Sequence, residues 1–308
     1  MAIQFYDDVK KGINSREEAL RILRSFLDEN EPQFVYFLHH IWNTQQKAIT
    51  YKELREAIMK GYLTPEIIEE WQQDYSKFVV DHIKPMYAAA MAAAATQISR
   101  KYPEFSFNTA AEGVKIWTDT RAAEFVTNST AEQVHAIRFA VARASQLQDV
   151  SVDGLARSIR AMVGLNKPQV QANLNYYQKM IESGVPQKKA VENSIKYSAR
   201  QSRYRGYLIA RTELAYSYNK GEQFSVEQAV EEGYMGEMDK VWCTADDERT
   251  CDTCGKLEGK QIGLRDHFGF PTKLKQRDFD IDLTPPAHPQ CRCTVLYVEA
   301  KPPNFTHL

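Results

Sequence analysis

Cys251-Asp-Thr-Cys254, then a loop, then His288-Pro-Gln-Cys291-Arg-Cys293 carries the densest structural information in the chain. All five cysteines of the chain, with Cys243, fall between Trp242 and Cys293. A Cys-x-x-Cys knuckle bends the backbone so that two thiolates can meet one ion, and a second Cys/His cluster from a remote segment completes a tetrahedron. The spacing therefore predicts a metal site, with zinc the leading ion and more candidate ligands than a tetrahedron takes. Two other readings stay open. Cys251 and Cys254 can in principle form disulfides with Cys291 and Cys293, although a chain without an export signal argues against them. The cysteines can also be unrelated small hydrophobes.

Whether such an ion catalyses depends on an open coordination position. Here ligands are in surplus, and a thiolate-rich set leaves the ion electron-rich and a poor Lewis acid. The deaminase order, His-x-Glu and then Pro-Cys-x-x-Cys, is not met, because the cysteine pair comes first and Gln290 stands two residues after His288. A His-Glu-x-x-His helix is absent. The expectation is a structural ion, whose binding contributes on the order of 10 kcal/mol to folding.

Outward from this stretch the chain reads as mainly α: a multi-helix body with a small zinc-stabilised α+β module at its C-terminal end. Apolar residues Phe34, Phe37, Leu38, Ile41 and Trp42 recur at helical spacing within residues 16–60. Thr64-Pro65 is an N-cap followed by proline at the first helical position. Ile67, Ile68, Trp71, Tyr75, Phe78, Val79 and Ile83 continue that stripe, and Pro85 is expected to kink or break the helix. The alanine-rich run from Met86 to Ala95 suits a helix packed close to a neighbour and is too short for a bilayer. Thr109-Ala-Ala-Glu112 and Ser129-Thr-Ala-Glu132 fit the capping-box pattern and predict two helix starts. Ser151 opens another helix that Gly164 ends. One more follows Pro168, with Val170, Leu174, Tyr177 and Ile181 as its core face, and stops at Gly184. His39-His40 is read as an ordinary pair, since adjacent helical residues point apart.

Short strands are expected at 241–243, 260–262 and 292–298, the last with both thiols of Cys291 and Cys293 on one face. The loops at Gly269-Phe270-Pro271 and Pro285-Pro286 separate the ligand pairs, and Lys301-Pro-Pro-Asn reads as a tail. The expected divisions are residues 1–148, an N-terminal helical region; 149–233, a second helical part; 234–300, the Cys/His module; and 301–308.

With 39 basic and 40 acidic residues, the formal net charge is −1, so no global field recruits nucleic acid or membrane. The first residues lack a signal-peptide pattern, and the expectation is a soluble protein made in a reducing compartment. Charge is uneven locally. Lys188, Lys189, Lys196, Arg200, Arg203 and Arg205 face one acid, Glu192, with Tyr197, Tyr204 and Tyr207 between them. Cations neutralise phosphates and tyrosines stack on bases, which makes a DNA surface one reading. A solvated helix face or a surface for an acidic protein is the other.

The order Ala210-Arg211-Thr212-Glu213, Asn219, Trp242, Asp247-Glu-Arg249-Thr-Cys251-x-x-Cys254, Leu257-x-Gly259 and His288-Pro-x-Cys291-Arg-Cys293 resembles the phage head morphogenesis family, the Mu F-like minor head proteins of tailed bacteriophages. The likeness is specific over about residues 150–298. The helical segment from Leu63 through Trp71 and Tyr75 resembles minor head proteins more weakly. The resemblance implies a minor capsid protein that meets the portal inside the procapsid and supports genome packaging or DNA ejection. Its implied partners are the portal protein, double-stranded DNA, scaffold and major capsid protein. Its implied locations are the virion interior near the portal and the host cytoplasm during assembly. The resemblance places the metal on Cys251, Cys254, His288, Cys291 and Cys293 and leaves Cys243 out. It marks Arg211, Glu213, Asn219 and Trp242 as motif positions without a catalytic role. The alternative is a metal-dependent hydrolase of DNA or cell wall using Glu213, Asp246, Asp247 or His267.

Overall fold

The computed structural model describes residues 15–147, 150–245, 247–269 and 284–300, and of residues 70–79 the backbone alone. In chain order the elements are α1 (Arg16–Ala48), α2 (Tyr51–Lys60), α3 (Pro65–Lys101), α4 (Glu112–Ala144), α5 (Val152–Arg160), α6 (Lys167–Glu182), α7 (Gln187–Glu231), β1 (Met238–Cys243), α8 (Asp252–Leu257), β2 (Gln261–Gly263) and β3 (Thr294–Glu299). The mainly α expectation with a small sheet is met. No helix among the described residues is long and apolar enough to cross a membrane.

Contacts gather the chain into two compact units. One takes the residues up to Glu31, Pro85–Asp119 and those from Leu208 onward. Its sheet is antiparallel in the order β2-β1-β3, with Trp242 opposite Val295 and Cys243 opposite Thr294. Successive strand residues point to opposite faces, and here both faces are covered. Trp242, Val295 and Tyr297 pack with Val226 and Ala229 of α7 and with Phe268. Val241, Cys243, Leu296 and Val298 pack with Ala19 of α1. That double burial explains why β3 reads Val-Leu-Tyr-Val with no polar residue between. The alanine-rich run of α3 does lie against a neighbour. A Cβ on Gly221 of α7 would stand 2.3 Å from Met91 Cα, so only glycine permits that approach.

The second unit takes Pro32–Lys84 and Thr120–Tyr207. Its core joins Leu54 and Ile58 of α2, Ile137 and Val141 of α4, Leu155 and Ile159 of α5, and Val170, Leu174 and Tyr177 of α6. The expected core face of α6 is thus buried, with Ile181 partly so. Local sequence sets the ends of these helices. Ser151 Oγ accepts from Gly154 N at 3.2 Å. Asn166 and Gln169 form a reciprocal capping box that opens α6 one residue before Pro168. Gly164 has φ of +92°, and a Cβ there would meet Trp42 at 2.6 Å, so backbone and packing both demand glycine. The Asn173 amide lies between two hydroxyls, that of Ser194 at 2.8 Å and that of Ser198 at 2.7 Å. It forms a buried polar link from α6 to α7.

Residues 16–60 are helical as expected, in two helices separated at Thr50, which caps α2 through a box with Glu53. Three local expectations are corrected. Helix α3 passes through Pro85 without ending, as α1 passes through Pro32, because a proline deletes one backbone bond while the apolar flanks Ile83 and Tyr87 stay fully buried. Helix α4 is continuous, so Ser129 caps nothing. Its hydroxyl turns back to Phe125 O at 2.6 Å, and the helix begins at Glu112, three residues after Thr109. Finally, β3 starts at Thr294, which leaves Cys291 and Cys293 in the preceding loop. Of the apolar stripe in α3, the side chains of Trp71, Tyr75, Phe78 and Val79 lie outside the described residues, as do Phe270-Pro271 and the 301–308 tail.

Candidate metal centre

Cys251 is the N-cap of the short helix α8, and its Sγ accepts from Cys254 N at 3.4 Å. This bond orients two thiols toward one point, which the intervening Asp-Thr pair could not do in an extended strand. His288 arrives from the remote segment. Its Nε2 stands 3.1 Å from Cys251 Sγ and 3.4 Å from Cys254 Sγ. Its Nδ1 lies 2.8 Å from Pro289 O. That contact keeps the proton on Nδ1 and turns a bare Nε2 to the sulfurs. Cys254 Sγ lies 3.7 Å from Cys291 Sγ. A tetrahedron with bonds of about 2.3 Å to sulfur and about 2.05 Å to nitrogen has edges of about 3.8 Å between sulfurs and about 3.6 Å from sulfur to nitrogen. The observed separations fall near those edges.

The donors form two overlapping triads, Cys251-Cys254-His288 and Cys254-Cys291-Cys293, each with its donor atoms within 4.8 Å of one another. Either could hold a metal ion, and Cys254 belongs to both. All five cysteines are free thiols, so the disulfide reading is not the arrangement found. Burial pushes the Cys251 thiol up, but the Cys254 amide and thiol and His288 together hold it below its ordinary value. Hydrogen bonds from Cys254 and Cys293 lower Cys291 well below that value, while the same contacts raise Cys254 and Cys293. The cluster is thus arranged to share negative charge. Cys243 stands apart, buried among Val241, Leu296 and Ala19, where desolvation pushes its thiol up to about 12.

The motif residues of α7 brace this centre. Thr212 Oγ1 accepts from Gln290 N at 3.2 Å, between His288 and Cys291, where Gln290 adopts φ of +63°. Asn219 Oδ1 accepts from Thr294 Oγ1 at 2.9 Å, immediately after Cys293. Glu213 is buried and accepts from Tyr87 Oη at 2.6 Å. Arg211 binds Glu31 at 2.5 Å and Asp28 at 3.3 Å, both on α1. Trp242 is fully buried with its ring edge-on to Phe268 at 5.0 Å. The consecutive residues Arg211, Thr212 and Glu213 therefore anchor three different segments to one helix.

Among the hydrolase candidates, Glu213 is occupied by Tyr87 as above, and the Asp247 carboxylate is gripped by both terminal nitrogens of Arg292 at 2.5 Å. His267 is exposed and belongs to no metal-holding group among the described residues, while Asp246 lies outside them. Of the basic set, Lys188, Lys189, Lys196, Arg200 and Arg203 are exposed along α7. Arg205 is only 5% exposed and pairs with Glu132 at 2.5 Å, which takes it out of that face. Thr212, Asp247 with Arg292, and Tyr87 carry contacts to which sequence reasoning gave no structural role. Thr212 and Asp247 lay inside the quoted motifs, whereas nothing near Tyr87 in the chain announces its partner.

No curated protein and no solved structure gives a significant match to the chain. A family model does, that of phage Mu protein F like proteins, over residues 156–296, from within α5 to within β3. The matched range contains both ligand clusters and the α7 residues that brace them. Over these residues the chain is similar to phage Mu protein F like proteins.

Proposed function

We propose that the protein is a minor capsid component of a tailed phage that docks on the portal inside the procapsid, touches DNA there, and supports packaging or ejection. The match to the phage Mu protein F like family over residues 156–296 is the observation that carries this reading. The metal is a structural zinc. Thiolates and an imidazole at tetrahedral spacing are the donor chemistry zinc prefers, and the braced His288 tautomer fits it. The ion supplies shape, drawing the α8 knuckle and the loop before β3 together. Residues 149–233 then serve as the helical half of the head-morphogenesis region and 234–300 as its metal-clipped half, with 1–148 as the N-terminal helical region. The exposed cations of α7 supply the DNA contact. Scaffold and major capsid protein are further neighbours in the procapsid, and the mature location is the virion interior.

Co-expression with the phage portal tests this reading. Portal oligomers should retain the protein through size exclusion, and purified particles should contain it at low copy number. Heads assembled without it should package or infect poorly. Normal infectivity of particles lacking the protein, with no retention on portal oligomers, would remove the proposed role.

A further inference from the structure

In the second unit a cleft of about 420 Å³ opens between the end of α1, the start of α2, and helices α5 and α7. Its wall carries Lys47, Arg157 and Arg160 and no acidic residue. Arg160 is held in place on two sides. Its Nε donates to Gln46 O, and its guanidinium lies over the Tyr51 ring at 4.4 Å. The terminal nitrogens are left without a hydrogen-bond partner among the described residues, as are the head groups of Lys47 and Arg157. An arginine fixed at its stem with an open fork loses little entropy on binding, and the fork matches the paired oxygens of a phosphate.

The cleft does not stand alone. Ile195 of α7 forms part of its wall, so Lys196 is the next residue along. Lys188, Glu192, Lys196, Arg200 and Arg203 recur every three or four residues, which places them on one face of α7. Helix α5 lies beside that stretch: Ser151 N donates to Gln187 Oε1 at 3.2 Å, and a Cβ on Gly154 would stand 3.0 Å from Val191. Tyr197 carries Arg200 over its ring at 5.7 Å, and the exposed Tyr204 and Tyr207 follow. A row of cations, interrupted by Glu192, thus leads along the helix past the cationic cleft.

We propose that this cleft grips a backbone phosphate of a nucleic-acid strand whose neighbouring phosphates run along α7. The proposal rests on the DNA contact suggested above and adds to it a site on α1 and α5, outside the basic segment. An acidic peptide would also fit the fork, but the exposed cations and tyrosines that continue along α7 favour a nucleic-acid strand, and the peptide is an outcome of the test.

The experiment measures affinity of the full chain for a short labelled DNA duplex across a salt series. Each phosphate contact contributes about −0.9 to the slope of log K against log salt. Lys47→Gln with Arg157→Gln removes two exposed cations around that one phosphate and should make the slope shallower by about 0.9. Arg160→Lys keeps the charge but not the fork and should weaken binding at all salts. Unchanged circular dichroism and Tm exclude misfolding. A comparison variant, Lys196→Gln with Arg200→Gln and Arg203→Gln, separates the two ideas. If only that variant weakens binding, the cleft proposal fails and the α7 contact stands. If neither set alters binding, both fail. Inorganic phosphate followed by phosphorus NMR is the other arm: loss of its binding in the cleft variants, with DNA affinity intact, would make the cleft a free-anion site. Competition by a poly-glutamate peptide alone would reassign it to an acidic protein.

Discussion

Arg292 and Asp247 face each other in a two-pronged ion pair, with both arms at 2.5 Å. Arg292 stands between Cys291 and Cys293, and Asp247 stands four residues before Cys251. The pair therefore ties the two ligand segments together independently of any ion. Arg292 holds the Asp247 carboxyl down at about 2. A depressed carboxylate contributes stability above its unfolded value near 3.8, and the contribution is lost as pH falls through about 2. Asp247→Asn should lower metal affinity by about tenfold, the low end for groups that orient ligands. Competition with a chromophoric chelator measures it, and an unchanged affinity would show that the pair only decorates the loop.

The ligand set itself is open to a direct count. Cys251, Cys254, His288 and Cys291 are linked by contacts of 3.1 to 3.7 Å, whereas Cys293 enters only through the second triad. Serine at Cys251, Cys254 or Cys291, or alanine at His288, should abolish stoichiometric metal. Cys293→Ser should keep it, with a modest fall in Tm from the lost thiol contact. Elemental analysis of the purified variants decides. Retention in Cys291→Ser and loss in Cys293→Ser would exchange their roles.

Chelation separates the thiols by burial. In the metal-loaded protein a thiol reagent should find no fast-reacting cysteine. After chelation the ligand thiols should react, and Cys243 should not, because it is fully buried and pushed up to about 12. Only denaturation should release it. Labelling of Cys243 at the rate of Cys251, read by peptide mass spectrometry, would contradict its place between the sheet and Ala19 of α1.

What the sequence disclosed follows from the range of the interaction involved. Thr64-Pro65, Ser151 and Gly184 act on their own turn, so their roles were readable, whereas α5 already ends at Arg160 and Gly164 turns the chain four residues later. The clustering of Cys251 with Cys254 was readable because a knuckle is a local geometry. Ser129 misled because its capping pattern competes with a continuous apolar stripe, Phe125, Val126, Val134 and Ile137, whose burial outweighs a cap of about 1 kcal/mol. The helix does not break at Pro85 for the same reason. Arg205 looked like its neighbours in composition, and only the approach of Glu132 from α4 distinguishes it. The links from Thr212 to Gln290 and from Glu213 to Tyr87 span 78 and 126 residues, and no single sequence encodes such pairings legibly.

Glu222 gives the molecule a pH dependence of its own. It is buried on α7, close enough to Tyr218 and Tyr297 to raise both, with Arg100 also acting on Tyr218. Desolvation pushes its carboxyl from 4.5 to about 8. The folded state therefore holds a proton that the unfolded chain has released across that window. Stability is fully present below 4.5 and is lost as pH rises toward about 8. The loss is at most about 1.4 kcal/mol per pH unit from one group. Glu222→Gln keeps the shape without the titration, so its Tm should stay flat from about pH 5 to 8 where that of the native chain falls. Parallel Tm curves for the two proteins would mean that Glu222 keeps its charge in the fold, against its burial.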